Sequence, residues 1–199
     1  MNREEEARVR AASYELLALG LSPPSAELAG AVSDPETTIK LPTPDPESLI
    51  PEYHRLFVGP GSLPAPPYES VYREGGTVMG QTTLDVQRQY EEAGYTLDPS
   101  FNELPDHVTA ELAFLALLTE EEAKAWEAGD ACAALSWLER EKAFLNDHLT
   151  RWLPDFCGRL LASTDAPFYR RLAVALQEFV TLDAERIEAL TGLLEETLA

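Results

Sequence analysis

Apolar side chains recur at steps of three and four residues along most of the chain, the spacing that places them on one face of an α-helix. In residues 3–20, Val9, Ala12, Leu16 and Leu19 follow this spacing. The same pattern predicts helices in a short segment after Pro24, over 46–58, over 82–93, over a central stretch that has Pro105 in its first turn, over 131–152 until Pro154 interrupts it, and over 166–180 and 183–198. No convincing β pattern is present, so the chain is predicted to be all-α.

Two segments interrupt the helical pattern. Residues 34–48 are rich in proline, which removes amide donors and blocks a continuous helix, so this segment is expected to be a surface connection. Residues 55–76, RLFVGPGSLPAPPYESVYREGG, resemble neither a helix nor a strand. Irregular connections longer than about 12–15 residues are usually functional or disordered. The predicted fold is therefore a single-domain helical bundle, residues 1–199, with a long irregular Pro/Gly-rich loop.

The charge of the chain narrows the range of partners. Among 199 residues, 35 acidic against 15 basic side chains give a formal net charge of −20. This charge opposes binding to nucleic acid or to an anionic membrane surface and favours a basic partner, although an acidic surface also serves solubility. The N-terminus lacks the apolar stretch of a secretory signal, and no run approaches the ~18 apolar residues of a membrane span. A cytoplasmic protein without an integral membrane segment is predicted.

Residues that could carry out catalysis or bind a metal are few and scattered. The three histidines are His54, His107 and His148, and no two share the i, i+4 spacing of a metal-binding pair on a helix. Cys132 and Cys157 show no close pairing and are expected to be buried, inert thiols. The order Asp106-His107 is the reverse of the His-Asp pair of helical metal phosphohydrolases, but the further ligands are missing. We predict no enzymatic activity, no cofactor and no metal site.

Two short stretches suggest a binding site instead. The irregular loop ends in PPYESVY, which carries Tyr68 and Tyr72 on backbone that prolines have already stiffened, so a ligand would meet aromatic faces at a low ordering cost. The stretch ELPDH places Glu103, Asp106 and His107 at the predicted start of the central helix. A plainer interpretation is that Asp106 is a first-turn acid favoured by the helix dipole and that His107 packs under the loop. The residues alone leave both interpretations open.

Four motifs in this order carry a resemblance to a known family: EYHRLFVGPGSLPAPPYESVY (52–72), MGQTTLDVQRQYEEAGY (79–95), LPDHVTAELAFLALL (104–118) and FLNDHLTRWLPDF (144–156). In order and spacing they resemble the TorD-like family of redox-enzyme maturation chaperones. That family includes the dimethyl-sulfoxide-reductase and trimethylamine-oxide-reductase chaperones and, more distantly, the nitrate reductase delta subunits. The resemblance covers roughly residues 10 to 180.

The resemblance implies an all-helical cytosolic protein without catalytic activity. Such a protein binds the twin-arginine signal peptide, or leader, of a molybdopterin oxidoreductase of the dimethyl-sulfoxide-reductase type and holds the precursor while the cofactor is inserted. In the family, leader binding is associated with positions that correspond to Glu103, Pro105, Asp106 and His107 and to Pro67, Tyr68, Ser70 and Tyr72. Some members have tryptophan where Tyr68 stands, which leaves the identity of the client open.

A leader of this kind is a basic pair followed by an apolar stretch, so its receptor needs carboxylates at one end of a groove and apolar walls along the rest. Asp106, Glu103 and Glu69 are the predicted carboxylates, and Tyr68, Tyr72, Val71 and Leu104 the predicted walls. An alternative role is that of a delta-subunit-like assembly factor that binds the mature catalytic subunit. Either a monomer or a domain-swapped dimer is compatible with the long connections.

Overall fold

The computed structural model describes residues 2–34 and 37–198. Its α-helices are α1 (Arg3–Gly20), α2 (Ala26–Ser33), α3 (Pro46–Tyr53), α4 (Glu69–Arg73), α5 (Gln81–Glu92), α6 (Val108–Glu127), α7 (Ala131–Phe144), α8 (Thr150–Ser163) and α9 (Pro167–Leu198). Wider π-helical turns follow α3 at His54–Val58 and precede α8 at Leu145–Leu149. The described ranges contain no β-strand beyond an isolated bridge, and the predicted all-α fold is confirmed.

The helices form a bundle in which α6 is central. Helix α6 packs along α1 and α7, and α9 packs against α7 and α8. Large side chains from these helices are fully buried in one core, among them Tyr14, Leu112, Trp152 and Tyr169. The assignment of residues 1–199 to one domain stays a prediction, and Met1, Pro35, Glu36 and Ala199 lie outside the described residues.

A buried ionic cluster links four helices of the bundle. The guanidinium of Arg10 on α1 donates to Glu122 on α6 at 2.5 Å, to Glu141 on α7, and to Asp183 on α9 at 2.5 and 3.0 Å. Tyr14 donates a further hydrogen bond to Asp183 at 2.7 Å. Burial raises the pKa of Glu141 to about 8 despite the attraction of Arg10. One of the three carboxyl groups therefore keeps its proton at neutral pH, which lowers the uncompensated negative charge in the core.

Two predictions, one on the C-terminal helices and one on a cysteine, are wrong. The predicted helices 166–180 and 183–198 are one continuous helix, α9. Asp183, at the predicted boundary, instead points inward to Arg10 and lies in the middle of this helix.

Cys132 is exposed rather than buried, whereas Cys157 is buried as predicted, and burial raises the pKa of the Cys157 thiol to about 12.

Pro154 does not end the helix as predicted but lies inside α8. A proline inside a helix removes the amide that would bond the carbonyl four residues earlier, here that of Thr150. In the π-helical turn just before α8, the Thr150 hydroxyl bonds Leu145 O at 2.8 Å and the Arg151 side chain bonds Asn146 O at 2.6 Å. Pro154 itself is exposed, on a face where water can satisfy the carbonyl that lacks an amide partner.

Across residues 2–34 and 37–198, no helix combines the length and the apolar character that a membrane crossing requires.

Candidate functional site

The irregular loop lies directly against the start of the central helix. Tyr68 and His107 form an isolated antiparallel bridge, flanked by hydrogen bonds from Glu69 N to Asp106 O at 3.0 Å and from Val108 N to Pro67 O at 2.8 Å. These main-chain bonds join segments that are almost forty residues apart in the sequence. The two stretches singled out from the sequence therefore converge in one place.

The same bridge moves the start of α6, so the prediction that Pro105 lies in its first turn is wrong. The pairing holds His107 in extended backbone, with φ −74° and ψ 136°, and the helix begins only at Val108. His107 is the N-cap residue, because its Nδ1 accepts a hydrogen bond from Thr109 N at 3.2 Å. Asp106 consequently precedes the helix and is not a first-turn acid.

Asp106 fastens the loop to the bundle. Its side chain is fully buried, and Oδ2 accepts a hydrogen bond from the backbone amide of Ser70 at 2.9 Å. Within the described part of the chain, Oδ1 of Asp106 and Oγ of Ser70 have no hydrogen-bond partner. A buried carboxylate that accepts a backbone amide gives a strong, charge-assisted contact, so Asp106 fixes the position of α4.

The ring of Tyr68 covers His107. Their ring centroids are 5.1 Å apart at an interplanar angle of 75°, and the Tyr68 hydroxyl donates to the carboxylate of Glu103. Burial is the main cause that lowers the pKa of His107, to about 4, so the imidazole is neutral at physiological pH. Since Nδ1 accepts from Thr109 N, the proton of this neutral ring is on Nε2.

Glu69, the first residue of α4, is a second buried carboxylate that joins the loop to the bundle. It accepts hydrogen bonds from Arg73 at 2.5 Å and from Nδ1 of His148, in the turn before α8, at 2.8 Å. Arg73 also bonds Asp147 O at 2.8 Å. Burial, with the nearby charge of Glu69, raises the pKa of Glu111 well above its usual range. Glu111 accepts a hydrogen bond from the Trp152 indole at 3.1 Å.

A groove of about 790 Å³ opens on the outer side of the loop, and we call it the loop groove. Its walls include Leu63, Pro66, Tyr68, Val71 and Tyr72 of the loop and Asp155 and Arg159 of α8. The Tyr72 ring packs on Trp152 with centroids 5.3 Å apart. The guanidinium carbon of Arg159 lies 4.8 Å from the Tyr72 ring centroid, in a cation–π contact. The groove thus has aromatic and aliphatic walls with charged side chains along one side.

The rim of the loop groove near α5 exposes apolar side chains. Val78 is 49% exposed and Met79 is 68% exposed. The rim is held in place by Glu74, whose carboxylate accepts hydrogen bonds from the first amides of α5, Gln81 N at 3.2 Å and Thr82 N at 2.6 Å. A Cβ atom at Gly80 would lie 1.8 Å from the Glu74 carboxylate, so any larger residue there would displace the end of the Glu74 side chain.

The predicted site residues divide into a buried and an accessible group. The buried residues are Pro67, Glu69, Ser70, Asp106 and His107. The residues that reach the surface are Tyr68, Val71, Tyr72, Glu103, Leu104 and Pro105. The role of both groups in peptide binding stays a prediction.

Sequence reasoning missed Asp155 and Arg159 as groove residues. They lie four residues apart, which places them on one face of α8. The motif FLNDHLTRWLPDF contains Asp155, but nothing in its sequence indicates a site role. Their neighbour Tyr72 is more than eighty residues away in the sequence, so no local signal could place the three side chains together. In the described part of the chain, no group of three or more His, Cys, Asp or Glu side chains could hold a metal ion.

Known proteins resemble this chain over most of its length. It is 29% identical over 170 residues to the chaperone protein TorD of Photobacterium profundum, a match that covers 85% of this chain and 77% of that protein. It is 32% identical over 127 residues to the Tat proofreading chaperone DmsD of Salmonella typhi, covering 63% of this chain and 55% of the relative. A perchlorate reductase assembly chaperone protein of Dechloromonas aromatica is 26% identical, with 94% of this chain and 93% of that protein covered.

A solved structure shares the fold. It is the crystal structure of a candidate redox enzyme maturation protein from Archaeoglobus fulgidus, which matches with a TM-score of 0.57 and 23% identity over 91% of this chain and 94% of that one. A family model described as the nitrate reductase delta subunit matches residues 21–158. The chain therefore belongs to the nitrate reductase delta subunit family, together with the TorD-like and DmsD-like chaperones that its motifs resemble.

Proposed function

We propose that this protein is a cytoplasmic, non-enzymatic chaperone that binds the twin-arginine leader of a molybdopterin oxidoreductase precursor in the loop groove. It holds the precursor while the molybdopterin cofactor is inserted and delays export until then. The single observation that carries this proposal is the bridge between Tyr68 and His107, which joins the aromatic loop to the start of α6 beside an open groove. Relatives named as chaperones of Tat proofreading and of reductase assembly support the role.

The shape of the loop groove suits an extended apolar segment. Tyr68, Val71 and Tyr72 line it, and Val78 and Met79 expose further apolar surface at its rim. An exposed ion pair contributes about 0–1 kcal/mol, whereas full burial of one leader Leu or Phe gives roughly 1.5–3 kcal/mol. Micromolar affinity corresponds to about 8 kcal/mol, net of the cost of ordering the peptide. Apolar contact therefore supplies most of the affinity, and charged groups set orientation and the preference for arginine.

The burial of the predicted carboxylates gives each a distinct part in this mechanism. Asp106 and Glu69 are fully buried and bond the loop and its neighbours, so they act by holding the groove in shape. Glu103 is exposed and lies at the end of the Tyr68 side chain, where it is available to a leader arginine. The site thus separates residues that form the groove from residues that meet the peptide.

The proposal is tested by calorimetry with a synthetic leader peptide from a molybdopterin oxidoreductase encoded beside the gene of this protein. Saturable binding is expected, weakened when both leader arginines are replaced by glutamine. A matched peptide with the same composition in scrambled order is the control. No saturation with any such leader would refute the proposal.

A second function is favoured by the family model and by the name of one relative, a reductase assembly chaperone. In this alternative the protein grips the mature catalytic subunit rather than the leader. Pull-down of a client from which the leader has been deleted distinguishes the two. Undiminished binding of the truncated client favours the assembly factor, and loss of binding favours the leader-binding chaperone.

A further inference from the structure

The loop groove contains a cation of its own. Arg159 extends from α8 over the face of Tyr72, with its guanidinium carbon 4.8 Å from the ring centroid. Asp155 lies one turn earlier on the same helix and lines the same groove. Among the residues that line the groove, all in the described part of the chain, Arg159 is the only basic one.

The Tyr72 ring also packs against aromatic side chains of the core. Trp152 and Phe156 pack on this side chain, with centroid distances of 5.3 and 6.3 Å. The ring is therefore fixed, and the place above it that Arg159 now fills is a preformed site for a planar cation. A basic residue is unexpected in a groove that receives a cationic peptide, because like charges in one groove repel.

We propose that Arg159 is an internal stand-in for the leader: its guanidinium occupies the arginine subsite formed by the Tyr72 face and the Asp155 carboxylate, and a leader arginine displaces it. This inference rests on the proposed function and names the subsite within the groove. Arg159 is exposed, so its side chain can swing into water when it is displaced. A guanidinium from the peptide restores the contact with the ring and adds the ion pair with Asp155.

The subsite on the Tyr72 ring is selective for a guanidinium group. An apolar peptide without arginine that removed Arg159 from the ring would leave the Tyr72 face without a cation. A lysine would restore charge but not the planar stacking of a guanidinium. A peptide without arginine therefore leaves Arg159 on the Tyr72 ring, and the internal arginine lowers the affinity only of a peptide whose own guanidinium takes this subsite.

The test compares Arg159→Gln with the wild-type protein in calorimetric titrations of two leader peptides, one with its arginine pair and one with both arginines replaced by glutamine. Removal of the competitor is expected to tighten binding of the arginine leader by roughly two- to fivefold, the size of an exposed cation–π contact, and to leave the glutamine leader unchanged. Asp155→Asn is expected to weaken binding of the arginine leader only.

Matched variants control for net charge. Arg140→Gln removes an exposed arginine that lies over Trp137 at 5.5 Å on α7, and Glu139→Gln removes an exposed carboxylate of the same helix. Neither variant is expected to discriminate between the two peptides. Circular dichroism melts establish that each variant is folded.

Three results separate this inference from the proposed function. If Arg159→Gln weakens binding, Arg159 contacts the client directly and the stand-in role is wrong, while leader binding stands. If it tightens binding of both peptides equally, the effect does not depend on the leader arginines and the inference is again wrong. If neither the wild type nor Arg159→Gln binds the arginine leader, both the inference and the proposed function fail.

Discussion

The Asp106 carboxylate accepts the backbone amide of Ser70 at 2.9 Å, from a position with no exposure to solvent. An acid that the sequence suggests as a peptide ligand is thus the attachment point of the loop. Because of this hydrogen bond, the shape of the loop groove depends on the buried side chain of Asp106.

Asp106→Ala is expected to destabilise the protein by about 1–3 kcal/mol, because the amide of Ser70 loses its buried acceptor. Leader affinity is expected to fall with it, since α4 and Tyr72 are no longer held. Asp106→Asn is the matched control, because its amide oxygen can still accept from Ser70. Urea denaturation and calorimetry measure both effects. Equal leader affinity in the wild type and in Asp106→Ala would contradict the role of Asp106 in holding the groove.

Tyr68 allows the ring and the hydroxyl to be tested separately. Tyr68→Ala is expected to weaken leader binding by about tenfold, because a groove wall of aromatic surface is lost. Tyr68→Phe keeps the ring over His107 and loses only the bond to Glu103, so a change below about threefold is expected. Tyr95→Ala, a half-buried tyrosine outside the loop groove, controls for the loss of a ring. A larger loss in Tyr68→Phe than in Tyr68→Ala would contradict the assignment.

His107 is expected to make stability depend on pH on the acid side. Its pKa is lowered from 6.5 to about 4 in the folded protein, so between these values the unfolded chain binds more protons than the folded one. The contribution of His107 to stability is complete above pH 6.5 and is lost as the pH falls to 4, by roughly 3 kcal/mol. His107→Asn keeps an N-cap acceptor without a titratable ring and is expected to flatten this dependence.

The measurement for His107 is the difference in unfolding free energy between variant and wild type at several pH values from 4 to 7. His54→Asn replaces an exposed histidine and serves as the control. A difference that stays constant across this range would show that His107 is not held neutral by burial.

Glu141 is expected to make the free energy of unfolding fall as the pH rises, the opposite of the effect of His107 and at higher pH. The pKa of Glu141 is raised from 4.5 to about 8 in the folded protein. Between these two pH values the folded chain therefore binds more protons than the unfolded chain. Stability from this group is lost as the pH rises, by roughly 2 kcal/mol between pH 6.5 and 8. Glu141→Gln mimics the protonated form and is expected to reduce this loss, measured by urea denaturation.

Glu139→Gln, on the exposed side of the same helix, is the matched control for Glu141. An unchanged pH dependence in Glu141→Gln would mean that this carboxyl group is ionised beside Arg10 throughout the range.

The helical class and the two stretches that form the candidate site follow from the sequence alone. The prediction that residues 55–76 are irregular throughout is wrong in part, because this segment contains the end of the π-helical turn His54–Val58 and helix α4, Glu69–Arg73. Helix α1 and helix α5 were predicted within one residue at each end, because helical periodicity is a local property. The tyrosines at 68 and 72 were also evident, since proline and aromatic residues stand together in the chain.

Contacts between segments that are distant in the sequence set the start of α6, the continuity of α8 and α9, and the burial of Asp106 and Glu69. Each depends on a partner far away in the sequence: the loop backbone for His107, Arg10 for Asp183, and Ser70 for Asp106. The meeting of Tyr72 with Arg159 has the same origin. Local pattern predicts which face of a helix is apolar, but the exposure of a charged side chain is set by the elements that pack over it, and these come together only in the folded bundle.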